Sequence, residues 1–253
     1  MKLARYLYDG HIRYGVVEGE TVYELLLTPF SGLERQGRSY GLDDVELLPP
    51  AYPQKIIAVG LNYRDHAEEV GMPIPTEPML FMKPPSSLLP HGGSIIYPSM
   101  SERLDYEAEL AVVVKTQCHR VPPQEAPNHI LGYTCANDVT ARDLQIKDGQ
   151  WTRAKGFDTF CPLGPFIETD VDPGELVVEL HLNGETRQSS AVSNLIFGPA
   201  ELLSFLSHIM TLYPGDVIIT GTPSGIGELQ VGDEVEVDIK GVGLLRNTVT
   251  SPT

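Results

Sequence analysis

Cysteine, basic residues and long apolar runs are all scarce in this chain, and each scarcity removes a class of protein. The three cysteines, Cys118, Cys135 and Cys161, stand too far apart for a zinc knuckle and cannot all pair with one another. Reduced thiols in a cytosol fit them better than a disulfide framework, with buried structural positions as the default. Lysine and arginine number 18 against 34 acidic residues, a formal charge of −16. That balance argues against nucleic acid and anionic membranes as partners. It also repels anionic substrates at long range, so an acid substrate needs a local metal or a cationic pocket. No apolar run approaches the ~20 residues that cross a bilayer. The start Met1-Lys2-Leu3-Ala4-Arg5-Tyr6 carries charges and no apolar core, so no signal peptide is read. The expected location is the cytoplasm.

What is present points to β structure. Glycine and proline are plentiful, 24 and 21 residues, which suits strands joined by turns and loops. Residues 2–8 and 12–17 read as strands around the turn Asp9-Gly10, with a third strand at 21–27. This small β unit, residues 1–50, holds no cluster of chemical groups and reads as a packing or dimerisation accessory. Pro49-Pro50 and Pro53 mark its boundary with a larger domain, 51–253. There, 55–61 reads as a buried strand, and Asn62 is placed to cap a short helix running to about Val70, stopped by Gly71. Further strands are expected at 79–82, 95–97, 105–114, 131–137, 217–220 and 235–239, and a hairpin at Asn183-Gly184. Pro199 to Thr211 is the best helix, with Leu202, Leu203, Leu206 and Ile209 on one face. Helical stretches are too sparse for an alternating βαβ layout.

The most informative segment is Asp105-Tyr106-Glu107-Ala108-Glu109, which alternates like a strand and runs into the apolar Leu110-Ala111-Val112-Val113-Val114. On a strand, side chains two apart share a face, so Asp105, Glu107 and Glu109 are expected in one row. An isolated acidic alternation is usually a solvated strand face. Here the Val-rich continuation reads as core, and a shielded row of carboxylates needs protons or a cation. Oxygen ligands without Cys or His nearby favour Mg2+ or Mn2+ over zinc, and residue type alone leaves Ca2+ open. Asp138, in Asp138-Val139-Thr140-Ala141-Arg142-Asp143, is a third ligand source downstream.

Four ordered motifs, "DYEAEL", "NDVTARDLQ", "RAKGFDTFCPLGPF" and "GDVIITGTPSGIG", resemble the fumarylacetoacetate hydrolase superfamily from about Lys55 to Val249. The resemblance implies an α+β fold, a mixed β-sandwich roll, here preceded by the small N-terminal β unit. It implies that Glu107, Glu109 and Asp138 hold the divalent metal. "NYRDHAEEV" matches the family's lid segment with its H-x-x-E dyad, which falls on His66 and Glu69; spacing alone would leave them an exposed polar pair on one helix face. A carboxylate beside an imidazole orients it to take a proton from water. Lys155, otherwise an ordinary surface lysine, takes the family's role of holding a carbonyl or enolate oxygen. Arg142 and Gln145 match the basic and amide positions after the metal Asp, though Arg142 reads equally as a structural partner of Asp143 or Asp138. The family uses the Thr of "TGTP" for the substrate carboxylate, which is Thr222. Asp105 is an outer member of the row. His11, His91, His119, His129, His181 and His208 have no partner at ligand spacing.

The resemblance also implies a small 2-oxo acid substrate and a homodimer. Three outcomes share one metal site: hydrolysis of acylpyruvate-type β-diketo acids, decarboxylation of oxaloacetate-like acids, and isomerisation of 2-hydroxyhepta-2,4-diene-1,7-dioate in aromatic-compound catabolism. A non-catalytic metal-binding scaffold is the alternative of another class, and the intact His66, Glu69 and Lys155 argue against it. The segment 62–70, flanked by glycines and followed by Pro73 and Pro75, reads as a lid.

Overall fold

Antiparallel pairing from the first residues onward organises the chain, and the computed structural model describes residues 1–252. Lys2–Tyr8 and His11–Glu18 form a hairpin at Asp9-Gly10, where both turn residues have positive φ, 50° and 72°. That is the backbone a two-residue hairpin needs to match strand twist. Asn183-Gly184 turns the same way between Val177–Leu182 and Glu185–Ala191.

Strands dominate and helices are few, so the α+β class expected from the resemblance holds. A twelve-stranded mixed sheet runs from Arg35–Gly41 through the N-terminal hairpin to Cys161–Glu168, Ile130–Asn137, Ala108–Val114, Val217–Ile219, Ile56–Val59 and Leu80–Lys83. Its pairing is antiparallel except, for example, where Val217–Ile219 lies parallel to Ile56–Val59. A five-stranded sheet built around Val177–Leu182, Glu234–Ile239 and Gly243–Thr250 packs across it. The N-terminal strands join the large sheet through Lys2↔Glu168 and Leu3↔Ile167, and the terminal ammonium pairs with Glu168.

Ala108–Val114 explains where the core sits. Every residue in it is buried. Leu110, Val112 and Val114 pack into the cluster shared with Val178, Val237 and Leu206, while Ala111 and Val113 pack on the opposite face with Ile56 and Leu163. A strand covered on both faces has no reason to alternate, hence its unbroken apolar run.

The helices are α1 (Arg64–Glu69), α2 (Arg142–Asp148), α3 (Thr152–Lys155) and α4 (Pro199–Ile209). α4 starts on Pro199 and buries Leu202, Leu203 and Leu206 as its pattern predicts. Ile209 departs from expectation at 54 % exposed, because it lies in the final turn where the chain turns extended at Met210. Asn62 does not cap α1. Its side-chain amide instead donates to the carbonyls of Thr220 (2.6 Å) and Phe197 (3.0 Å), tying the loop before α1 to the core. Gly71 stops the helix with φ +66°, and Met72 N–H closes onto Ala67 O at 3.0 Å. α2, α3 and the strands Cys161–Glu168 and Gly243–Thr250 lie where no element was read from the sequence.

Candidate functional site

Register brings the carboxylates together. In the antiparallel pair, Ala108 faces Asn137 and Glu109 faces Ala136, so the next position places Asp138 beside Glu107. The backbone confirms the step: Asp138 N–H donates to Glu107 O at 2.8 Å, and Glu107 N–H donates to Asn137 Oδ1 at 3.0 Å. Glu107, Glu109 and Asp138 each offer a carboxylate oxygen, all within 4.8 Å of one another, and all three residues are buried.

The expected single acidic row is broken at its first member. Leu104–Tyr106 belongs to a small three-stranded sheet and Ala108–Val114 to the large one, so the chain changes sheets at Glu107. Asp105 is fully buried but takes Arg142 Nε (2.8 Å) and Arg103 Nε (2.8 Å) instead of joining the trio. Arg142 bridges the two acidic levels, its other nitrogens reaching Glu107 Oε1 (2.5 Å) and Gln145 Oε1 (2.6 Å). Its partners are thus neither Asp143 nor Asp138. Asp143 instead accepts from the Ser101 hydroxyl at 2.6 Å.

Two buried lysines meet the trio. Lys155, at the end of α3, donates to Glu107 Oε2 (2.8 Å) and Asp138 Oδ2 (2.5 Å). Lys83, closing the strand Leu80–Lys83, pairs with Asp138 Oδ1 and approaches Val139 O at 3.4 Å. Sequence reasoning missed Lys83, since a lysine at the end of a short apolar strand looks like a solvated strand terminus. It also missed Gln188, whose amide donates to the Thr222 hydroxyl (2.9 Å). The Thr222 hydroxyl in turn donates to Ala108 O at 2.9 Å.

The charges do not balance evenly. Burial disfavours ionised Glu107, but Lys155 and Arg142 outweigh it and hold its carboxyl at about 2. Burial likewise works against Lys155, yet Asp138 and Glu107 keep its ammonium above the usual lysine range. Glu109 goes the other way. Burial, with Asp138 and Glu107 alongside, pushes its carboxyl well above the carboxylate range. Its one protein donor among the described residues is Gly221 N–H, 2.5 Å from Oε2. A buried carboxyl next to two others, without a cation of its own, is the gap that a hard divalent ion would fill. The all-oxygen donor set fits magnesium or manganese.

A cavity of about 290 Å³ opens on this cluster, lined in part by His66, Glu107, Arg142, Gln145, Lys155 and Thr222. His66 Nδ1 lies 2.8 Å from Glu69 Oε2, and Glu69 Oε1 accepts Gly225 N–H at 2.9 Å. Asp65 accepts the Ser190 hydroxyl at 2.6 Å. The segment read as a lid is therefore tied down in this structure at Asn62, Asp65 and Glu69. Six of the nine sequence-assigned residues, His66, Glu107, Arg142, Gln145, Lys155 and Thr222, line one cavity directly. Glu109 and Asp138 complete its wall through the trio, and Glu69 stands behind His66.

His181, assigned no partner from the sequence, meets Glu179 and Asp238 within 4.8 Å on the five-stranded sheet, because Asp238 comes from the adjacent strand. All three cysteines are free and buried, as their spacing suggested. No helix among the described residues is long and apolar enough to cross a membrane.

Comparison with known proteins follows the same lines. The fumarylacetoacetate (FAA) hydrolase C-terminal family matches residues 55–250, and an Rv2993c-like N-terminal family matches residues 1–50. The chain is 38 % identical to a 2,4-didehydro-3-deoxy-L-rhamnonate hydrolase of a Sphingomonas species, over 99 % of this chain and 96 % of that protein. It is 41 % identical to a mitochondrial oxaloacetate tautomerase of Bos taurus, over 80 % of this chain and 68 % of the other. Among solved structures, a 5-carboxymethyl-2-hydroxymuconate delta-isomerase from Mycobacterium smegmatis covers 100 % of both chains at 41 % identity and a TM-score of 0.95. A maleylpyruvate hydrolase from Sphingobium sp. SYK-6, in complex with manganese(II) and pyruvate, covers 100 % of both at 28 % identity and a TM-score of 0.85.

Proposed function

This chain belongs to the fumarylacetoacetate hydrolase family, and from that premise we propose that it is a divalent-metal-dependent enzyme hydrolysing the C–C bond of acylpyruvate-type 2,4-dioxo acids. The observation that carries the reading is the His66–Glu69 pair at the wall of a cavity that also holds Lys155 and Glu107. An oriented base beside a buried cation and carboxylates suits water attack on a carbonyl better than simple decarboxylation, which needs no base.

Glu107, Glu109 and Asp138 would hold Mg2+ or Mn2+. When bound, that ion supplies Lewis acidity toward the 2-oxo acid end and offsets the charge of the trio. The chain's own residues do the rest. Arg142 fixes Glu107 and Gln145, and the Gln145 amide is left to donate to the substrate carboxylate. Thr222 lines the same wall, with its hydroxyl proton held by Ala108 O. An ionised Glu69 only accepts, so His66 carries its proton on Nδ1 and presents Nε2 as base. His66 Nε2 takes a proton from water as the oxygen attacks the C4 carbonyl. The C3–C4 bond then breaks, and its electron pair moves onto C3 and the 2-oxo oxygen as an enolate. Lys155 places its ammonium where that negative charge develops. The imidazolium returns its proton to C3, giving pyruvate and the acid of the acyl group.

A second reading keeps the same groups and omits water: proton transfer that interconverts enol and keto forms. The likeness to an isomerase and to a tautomerase favours it. Purified protein with Mg2+ or Mn2+, assayed against acetylpyruvate, oxaloacetate and 2-hydroxyhepta-2,4-diene-1,7-dioate, separates these readings. Metal-dependent release of pyruvate and acetate from acetylpyruvate is expected, and its absence sinks the hydrolase reading. A cytoplasmic homodimer, with residues 1–50 as an accessory unit, belongs to the same proposal. A stable monomer in sedimentation at micromolar concentration would remove the dimer from it.

A further inference from the structure

The cavity has two unlike walls. One carries the ionic groups described above. The other is made by Leu61, Val70, Met72, Met79 and Trp151. Three of these are large apolar side chains left open to solvent: Met72 is 52 % exposed, Val70 43 % and Met79 40 %. Apolar side chains gathered at one cavity wall gain from being covered by something apolar.

The wall is built rather than accidental. Trp151 stands edge-on to Phe81, centroids 5.2 Å apart at 71°. Gly60 lets it approach: a Cβ there would meet the Trp151 ring at 3.1 Å and Met79 Cε at 2.9 Å. A side chain at 60 would force the end of Met79 and the Trp151 ring to shift.

Charge at this end is equally informative. The cations lining the cavity are Arg142 and Lys155, and both are already committed, Arg142 to Asp105 and Glu107, Lys155 to Glu107 and Asp138. α1, which leads into Val70, ends in Glu68 and Glu69. A carboxylate at the far end of a substrate would gain no cationic partner there, face like charge and leave the apolar side chains uncovered.

We infer that the group beyond C4 of the substrate is uncharged and apolar, a hydrocarbon acyl chain or ring rather than a chain ending in a second carboxylate. This rests on the preceding reading, in which the 2-oxo acid end occupies the ionic wall. It selects acylpyruvates with aliphatic or aromatic acyl groups over dicarboxylic dienoates and diketo diacids.

The test measures binding, so it does not depend on turnover. Metal-loaded protein is titrated by calorimetry with straight-chain 2-oxo monoacids of four to eight carbons, and with 2-oxo diacids of matching length. Each added methylene should tighten monoacid binding about fourfold, and each diacid should bind at least ~10-fold more weakly than the monoacid of its length. Met79→Arg should narrow or reverse that gap by supplying an unpaired cation, and Met72→Arg repeats the measurement at a second exposed position. A preference for diacids in the unmodified protein overturns the inference while leaving the 2-oxo acid site intact. A flat monoacid series, the outcome if a second copy of the chain covers these side chains, overturns it too. Absence of metal-dependent binding in both series overturns the underlying reading together with the inference.

Discussion

Among the described residues, two places bring three potential ligand side chains within 4.8 Å, and one of them has the makings of a site. Glu107, Glu109 and Asp138 are buried at the wall of a cavity, with Lys83, Lys155 and Arg142 drawn in against them. Glu179, His181 and Asp238 lie half-exposed on neighbouring strands of the five-stranded sheet, with Glu179 directly opposite Asp238. There the hydroxyls of Ser189 and Thr186 suffice as partners, at 2.9 Å from Glu179 and 3.0 Å from His181. Water screens the second cluster, so nothing else had to be arranged around it. The buried trio cannot rely on water, and three cations drawn in around it, with the Glu109 carboxyl pushed above the carboxylate range, are the result. Proximity of carboxylates is therefore a poor marker of function; what their burial forces on the surroundings is the better one.

Removing a carboxylate from the trio should break the comparison most severely. Glu107→Gln or Asp138→Asn, each close in volume to the original, should abolish metal-dependent turnover and weaken Mg2+ binding beyond calorimetric detection. Undiminished Mg2+ affinity in either variant would dissolve the assignment of the trio as ligands. His66→Ala comes next. Loss of a general base costs ~10²–10⁴-fold, so acylpyruvate hydrolysis should fall by that factor while Mg2+ affinity stays nearly unchanged. Wild-type rates in this variant would return His66 and Glu69 to an ordinary helical pair.

Lys83→Met tests the counter-charge itself. It leaves one oxygen of a buried aspartate unpaired, and breaking a buried pair from one side costs about 3–5 kcal/mol. Chemical denaturation of the metal-free protein should show a loss of that order, with added Mg2+ recovering part of it. An unchanged midpoint would mean that Lys83 is not needed for charge balance. The smallest effect belongs to the exposed cluster, where Glu179→Gln and His181→Gln should each shift stability by about 0.5 kcal/mol or less. Mg2+ affinity should not move in either, and a drop in it would place a metal on the sheet rather than in the cavity.

Much of the site was legible because its signals are local. E-x-E followed by a Val-rich strand announced a shielded carboxylate pair, and Asp9-Gly10 and Asn183-Gly184 carry the positive-φ residues that tight hairpins require. Other parts were misread for equally local reasons. Asn62 has the chemistry of a helix cap but spends its amide on Thr220 and Phe197, carbonyls more than a hundred residues away. α2 and α3 are short, seven and four residues, too brief for an apolar period to register. Asp105 followed the period-two rule on paper, yet the chain leaves one sheet for another at Glu107 and takes Asp105 with the first.

The sequence by itself determined the run of carboxylates, the strand-rich class and the hairpin turns, since residue type, period two and turn dihedrals act over a few positions. Only the tertiary structure decided which charges compensate the trio. Lys83 reaches Asp138 across 55 positions and Arg142 reaches Asp105 across 37, and no short-range pattern records such distances. The same holds for the apolar wall, where Gly60, Met79 and Trp151 meet only after folding. Electrostatic balance and packing are properties of neighbours in space, and sheet register, not spacing along the chain, chooses those neighbours.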